Sequence, residues 1–141
     1  MKIMLIAVLL SQFAHADFNG DWKGTGQLIN GEVGDVCPDA EVALTQSSTQ
    51  FVFGQYHFDC GSAFLSPELD FPMEVKAGYI FYDGKNVGTI DDSSFHIIIL
   101  DVGGKGDSLS LDGILNNGVL KVTEDFQSRE FRQIGTYTLS R

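Results

Sequence analysis

Ser108 is the hydroxyl best placed to act as a nucleophile, in Gly106-Asp107-Ser108-Leu109. Such a serine needs a histidine base and a scaffold that presents it. No histidine follows Ser108 in the chain; His57 and His96 precede it. The segment alternates like a plain amphipathic strand, so the match is taken as coincidence and no catalytic residue is expected. His57 and His96 sit in apolar runs, Gln55-Tyr56-His57-Phe58-Asp59 and Phe95-His96-Ile97. On a strand, such a histidine is either hydrogen-bonded or turned to solvent. Facing a cavity, it is a polar anchor or a haem or metal ligand. Gly103-Gly104-Lys105-Gly106 lacks the Ser or Thr and the helix that must follow a phosphate-cradling lysine, so it is a turn. Asp91-Asp92 lacks the spaced oxygen ligands of a calcium loop and reads as solvated carboxylates. No metal and no cofactor is expected.

Cys37 and Cys60 are the two cysteines. An even count in an exported chain favours a bond between them, and the alternative two-thiol metal site lacks the Cys/His spacing that zinc needs. Export follows from the first 16 residues. Lys2 is a positive start, Ile3 to Leu10 an apolar run, and Ala14-His15-Ala16 a small-x-small cleavage site. The run is far shorter than the ~20 residues of a spanning helix. Removing residues 1–16 of the 141 leaves a domain of 125, residues 17–141, destined for the periplasm or the outside and not inserted in a membrane. Loss of Lys2 moves the formal net charge from −10 to −11. An acidic body of this kind repels phosphate backbones, so nucleic acid is not an expected partner.

The elements that must position these residues are strands. Alternation and glycine turns predict Trp22–Ile29, Glu41–Gln46 after a Cys37-Pro38 turn, Gln50–Asp59, Phe71–Lys76 and Tyr79–Tyr82. They continue with Asn86–Ile90, Ser94–Val102, Ser108–Leu115, Gly118–Phe126 and Phe131–Ser140. Asn30-Gly31, Asp83-Gly84 and Asn117-Gly118 suit the positive φ of type I′ hairpins. Gly61–Leu69 is expected to be a loop. The fold class is all-β: an antiparallel up-and-down barrel of roughly 8–10 strands, since closure removes exposed edges. Trp22, Gly24, Gly26 and Leu28 share one face of the first strand. Leu109, Leu111, Leu115, Leu120, Val122, Phe126, Phe131, Tyr137 and Leu139 are expected inside, and Ile134 breaks the last strand's pattern. Phe51-Val52-Phe53 and Phe95 to Leu100 are apolar on both faces, so they should be covered on both sides or form an interface.

Gly20-x-Trp22 at the head of the first strand resembles the Gly-x-Trp signature of the lipocalin and calycin superfamily. In that family an arginine near the chain's end packs over the tryptophan at the closed base of the barrel. The resemblance implies Arg141 in that role, with Arg132 the runner-up, a cation–π contact worth about 0.5–2 kcal/mol. The family's C-terminal helix is missing, which points to a shorter cousin such as the avidin-like barrels or the small exported inhibitor barrels of bacteria. Biotin pockets use several tryptophans, and Trp22 stands alone. Gly106-Asp107-Ser108-Leu109 also spells the nucleophile motif of the GDSL hydrolases, whose histidine lies far downstream of the serine; here that histidine has no counterpart.

The function expected from this reading is binding of a small apolar or amphipathic molecule inside a calycin-type barrel. Trp22, Leu28, Phe53, Leu109, Leu111, Leu120 and Tyr137 would line the ligand, and His57 or His96 would anchor it. The alternative is a periplasmic or secreted barrel that binds an exported protein, such as an inhibitor of a lytic enzyme or protease. Its loops, Asp91-Asp92-Ser93-Ser94 and Gly61–Leu69, would then make the contact.

Overall fold

The computed structural model describes residues 17–30, 33–60, 63–65, 71–102 and 104–141. The leader expected over residues 1–16 lies outside the described residues, as do Gly31 and most of Gly61–Leu69. The strands are β1 (Gly20–Asn30), β2 (Val33–Gln46), β3 (Gln50–Cys60), β4 (Ala63–Leu65), β5 (Phe71–Lys76) and β6 (Tyr79–Tyr82). They continue as β7 (Lys85–Ile90), β8 (Ser94–Val102), β9 (Asp107–Asn116), β10 (Val119–Gln127) and β11 (Arg132–Ser140). Each consecutive pair from β5 to β11 is antiparallel, as are β1–β2, β2–β3 and β3–β5. The first strand pairs with the last, Lys23 opposite Ser140 and Asn30 opposite Gln133. Ten strands therefore close into a barrel. β4 lies outside the ring, pairing with Phe58–Cys60 of β3 beyond the stretch of β3 that meets β5.

Local chemistry explains the hairpins. Asp83-Gly84 and Asn117-Gly118 have positive φ at both residues, 49° and 72°, then 49° and 75°, as a type I′ turn demands. A third such turn is Ala77-Gly78, with Ala77 at φ 50°. An alanine there carries a Cβ penalty that Asn, Asp or Gly would not.

Four bulges set which side chains face in. On β2, Pro38-Asp39 places one residue more than β1 between the pairs Gly24–Ala40 and Gly26–Cys37. A bulge is where a strand tolerates proline, and its extra residue flips the alternation. Ala40 and Cys37 therefore both point inward, at 0% exposure each. The expected Cys37-Pro38 turn is thus a bulge inside a longer strand. On β3, an extra residue between Phe53 and Tyr56 has the same effect, so Phe53 and Phe58 are both buried. The other two bulges are Val87 on β7 and Asp101 on β8.

The interior is one cluster of apolar side chains with large aromatics at its centre. Phe95 meets Phe18, Phe51 and Phe53 at ring separations of 5.4, 5.1 and 6.1 Å, and Phe58 stacks on Tyr137 at 3.7 Å. Inward glycines make the room: a Cβ on Gly113 would lie 2.1 Å from the Phe95 ring, and one on Gly26 would lie 2.3 Å from Tyr137. The outward faces of β1, β10 and β11 carry Lys23, Thr25, Gln27, Lys121, Thr123, Thr136, Thr138 and Ser140, all exposed. The bond between Cys37 and Cys60 is present and ties β2 to β3.

Three expectations need correction. Ala63–Leu65 within the expected loop is a short strand, because the free edge at the end of β3 offers it a ladder. Phe131 is 43% exposed and precedes β11, resting on Phe126 at 5.7 Å; inward positions on β11 are Gln133, Gly135, Tyr137 and Leu139, and Ile134 is, as expected, the apolar exception among the outward ones. Ile98 and Leu100 on the outer face of β8 are 42% and 75% exposed; nothing among the described residues covers them.

Candidate functional site

The two ends of the barrel are built differently. At one end, Trp22 is fully buried and its Nε1 donates to the Phe18 carbonyl at 2.8 Å. The Arg141 guanidinium lies 4.7 Å from the indole ring and donates to the carbonyls of Asp17 (2.8 Å) and Asn19 (3.1 Å). Phe18, also fully buried, plugs this base from the N-terminal side. It precedes the strand pattern, so alternation gave no sign of its role. Arg132 is elsewhere: it forms a two-pronged pair with Asp125 on the outer wall, at 2.9 and 2.6 Å.

At the opposite end the wall opens between β7 and β8. Their ladder runs only from Ile90–Phe95 to Gly88–Ile97. Beyond it, no described strand pairs with Lys85–Val87 on the β8 side or with Ile98–Val102 on the β7 side. The Val87 bulge, next to the last pair, bends β7 away at that point, and the Asp101 bulge ends the regular run of β8 four residues beyond it. Each is fixed locally. The Asn86 side chain accepts the Gly88 amide at 3.0 Å. Asp101, at φ 60°, accepts the Gly106 amide on its carboxylate at 2.5 Å and the Gly104 amide on its carbonyl at 3.1 Å. A cavity of about 480 Å³ results, open to solvent. Tyr82, Val87, Ile99 and Val102 form its inner wall, Ile98 and Leu100 its outer lip, and Asp83, Lys85, Asn86 and Asp101 its polar rim.

A second feature lies inside the same half of the barrel. Glu124 and Gln133 are the buried polar side chains of the core, 3% and 5% exposed. Glu124 on β10 is the register partner of Gly135, and the Tyr137 hydroxyl folds back over that glycine. That hydroxyl is buried and has no hydrogen-bond partner among the described residues. Burial, and secondarily the neighbouring Glu124 charge, push the Tyr137 phenol well above its ordinary value of 10.0. The described lysines and arginines are all on the exterior.

The expected site residues fall into separate places. Trp22, Leu28, Phe53, Leu109, Leu111, Leu120 and Tyr137 are 0–4% exposed and packed in the core, and none of them lines the β7–β8 opening. His96 faces outward, with its Nδ1 against the Asp112 carboxylate across the β8–β9 ladder. Ser110 donates to the other oxygen of that carboxylate at 3.4 Å, so the serine touches the acid and not the imidazole. Ser108 lies four residues before Asp112 on β9, about 13 Å at strand rise, out of reach of His96. His57 is half-buried on β3 opposite Glu41. Asp91 is held as a turn: its carboxylate accepts the amides of Ser93 and Ser94 at 2.7 Å each, and these bonds lower its pKa. Among the described residues, no three His, Cys, Asp or Glu side chains gather as a metal site would require. The opening is not legible in the sequence because it depends on where the β7–β8 pairing stops and on bulges in the two neighbouring ladders, which leave no mark in the pattern of their own strands.

No protein-family model matches this chain, and no curated protein matches it in sequence. A crystal structure of a "putative outer membrane protein" from Bacteroides fragilis aligns with 88% of the chain at 14% identity and a TM-score of 0.46. The aligned part is 51% of that structure, so the chain spans about half its length.

Proposed function

We propose that this is an exported, non-enzymatic barrel that binds another protein, and that the β7–β8 opening is where it does so. The observation that carries the reading is the coincidence of an unpaired stretch of wall with an apolar outer face. Leu100, at 75% the most exposed of the large apolar side chains described, stands with Ile98 beside that edge, although Ile29 on β1, Val36 on β2 and Ile114 on β9 are also exposed. Apolar surface beside an unpaired edge marks an interaction site. The exposed hydroxyls and charges on β10 and β11 also support a barrel outside the membrane, since a lipid-facing wall carries an apolar band. A cystine fits an oxidising compartment and so supports export. A non-enzymatic role is favoured by the His96–Asp112–Ser110 arrangement, in which the imidazole touches the acid and does not reach the serine.

A photo-crosslinking residue at position 100, with the protein expressed in its own host, tests the reading. The expected result is a covalent adduct with an exported protein, absent when the same residue replaces outward-facing Thr138. Equal yields at the two positions would remove the reading.

A second reading, a carrier of a small amphipathic molecule, is favoured by one observation: the buried Tyr137 hydroxyl without a described partner, beside Glu124. Buried hydroxyls of this kind are ordinarily satisfied by water or by a bound group. Native mass spectrometry of protein purified from its host discriminates. A stoichiometric small-molecule adduct that Tyr137→Phe abolishes would replace the first reading with the second.

A further inference from the structure

The free stretch of β8 has an ordered alternation: Ile98 and Leu100 point out and are exposed, while Ile99 points in and is 7% exposed. Its other edge is occupied by β9, with Ile98 opposite Ser110 and Leu100 opposite Ser108. The strand is therefore held straight by one neighbour, while no described strand pairs with its second hydrogen-bonding edge. Such an edge is a template for an extended chain, which gains backbone hydrogen bonds and sets alternate side chains against alternate faces. Lys85–Val87 across the opening is a poorer template, because the Val87 bulge breaks its regular spacing. The left-handed Asp101 ends the usable β8 edge on one side and the last β7–β8 pair, Gly88–Ile97, ends it on the other. That leaves Ile98, Ile99 and Leu100 as the template, about 10 Å of edge.

From this geometry we propose that the opening accepts an extended segment of a partner protein as an added strand, antiparallel to β8 and carrying apolar β-branched residues at alternate positions. This rests on the protein-binding reading and names the form of the partner. Charge decides between a partner and a second copy of this chain. At a formal net charge of −10 the protein repels its own kind, and the segment it attracts is cationic at its flanks.

The test uses the whole protein and a seven-residue peptide of alternating valine and threonine flanked by lysines. Isothermal titration calorimetry and amide exchange by NMR read the binding. The expected result is association that slows exchange of amides within Ile98–Leu100. It weakens at least tenfold when the peptide is N-methylated on the edge that faces β8, and changes less than threefold when methylated on the other edge. Leu100→Lys, at a residue too exposed to affect folding, should also weaken it at least tenfold. Equal binding of the two methylated peptides would overturn strand addition while leaving the position-100 crosslink free to uphold the broader reading. Failure of every peptide to bind would overturn it too. So would a concentration-dependent dimer, seen by sedimentation and lost in Leu100→Lys, since the occupant would then be a second copy.

Discussion

Tyr137 concentrates the interior's tension in one side chain. Its ring is packed on Phe58 and over two glycines, yet its hydroxyl is buried beside a carboxylate. Because the folded-state pKa is raised, the native protein holds that proton more tightly than the unfolded chain does. The resulting stability is complete below pH 10, the unfolded value, and is lost as pH rises from there towards the folded value. Tyr137→Phe should therefore flatten the fall in stability above pH 10, measured by chemical denaturation from pH 8 to 11. At pH 7 the same change should be neutral or stabilising by about 1 kcal/mol if no ligand or water satisfies the hydroxyl. Gly113 is the opposite kind of residue, a vacancy that Phe95 fills. Gly113→Ala should cost about 1–3 kcal/mol in urea denaturation, because the ring has packed neighbours on every side and cannot yield. Ala77→Asn should stabilise by about 0.5–1 kcal/mol by relieving the left-handed alanine of its turn.

Strands and turns were legible in the chain wherever a two-residue period ran unbroken. β5, β6 and β8 have the expected limits, and Asp83-Gly84 and Asn117-Gly118 turn as their residue types require. What stayed hidden came from interruptions. A bulge adds one residue and reverses inside and outside beyond it, so Cys37 and Ala40 face the same way although three apart. Alternation read across such a point misplaces the rest of the strand. Phe131 was misread for a simpler reason: it lies before β11 begins, where no ladder imposes a period. Trp22 over Arg141 was accessible from the Gly-x-Trp resemblance, whereas Phe18 beside it carried no signal at all. The cystine joins two of the bulged strands, closing a loop between residues 23 apart. Replacing both cysteines by alanine should cost about 3 kcal/mol, or about 10 °C in Tm by calorimetry, as the unfolded chain regains that loop's freedom.

The molecule as a whole is a cylinder with an apolar filling and a large negative charge. Its acid limit follows from carboxylates that the fold holds charged. Arg132 keeps the Asp125 carboxyl below its ordinary 3.8, and the Ser93 and Ser94 amides do so for Asp91. Depressed values of this sort contribute stability above pH 3.8 that disappears as pH falls through the lower, folded values. Circular dichroism melts should show Tm level from pH 7 to 5 and dropping below 4, with Asp125→Asn reducing the drop. Charge also governs association: binding of the lysine-flanked peptide should weaken as salt rises from 0.05 to 0.5 M, an order-of-magnitude window over which the Debye length shrinks severalfold. One further consequence concerns synthesis. β1 and β11 are opposite ends of the described chain and are also neighbours in the ring. Until the final strand emerges, everything already made is an open curl with two raw margins, and the closing contact spans nearly the full sequence. Newly made chains are thus at their stickiest just before completion, the interval in which a holding chaperone would matter most.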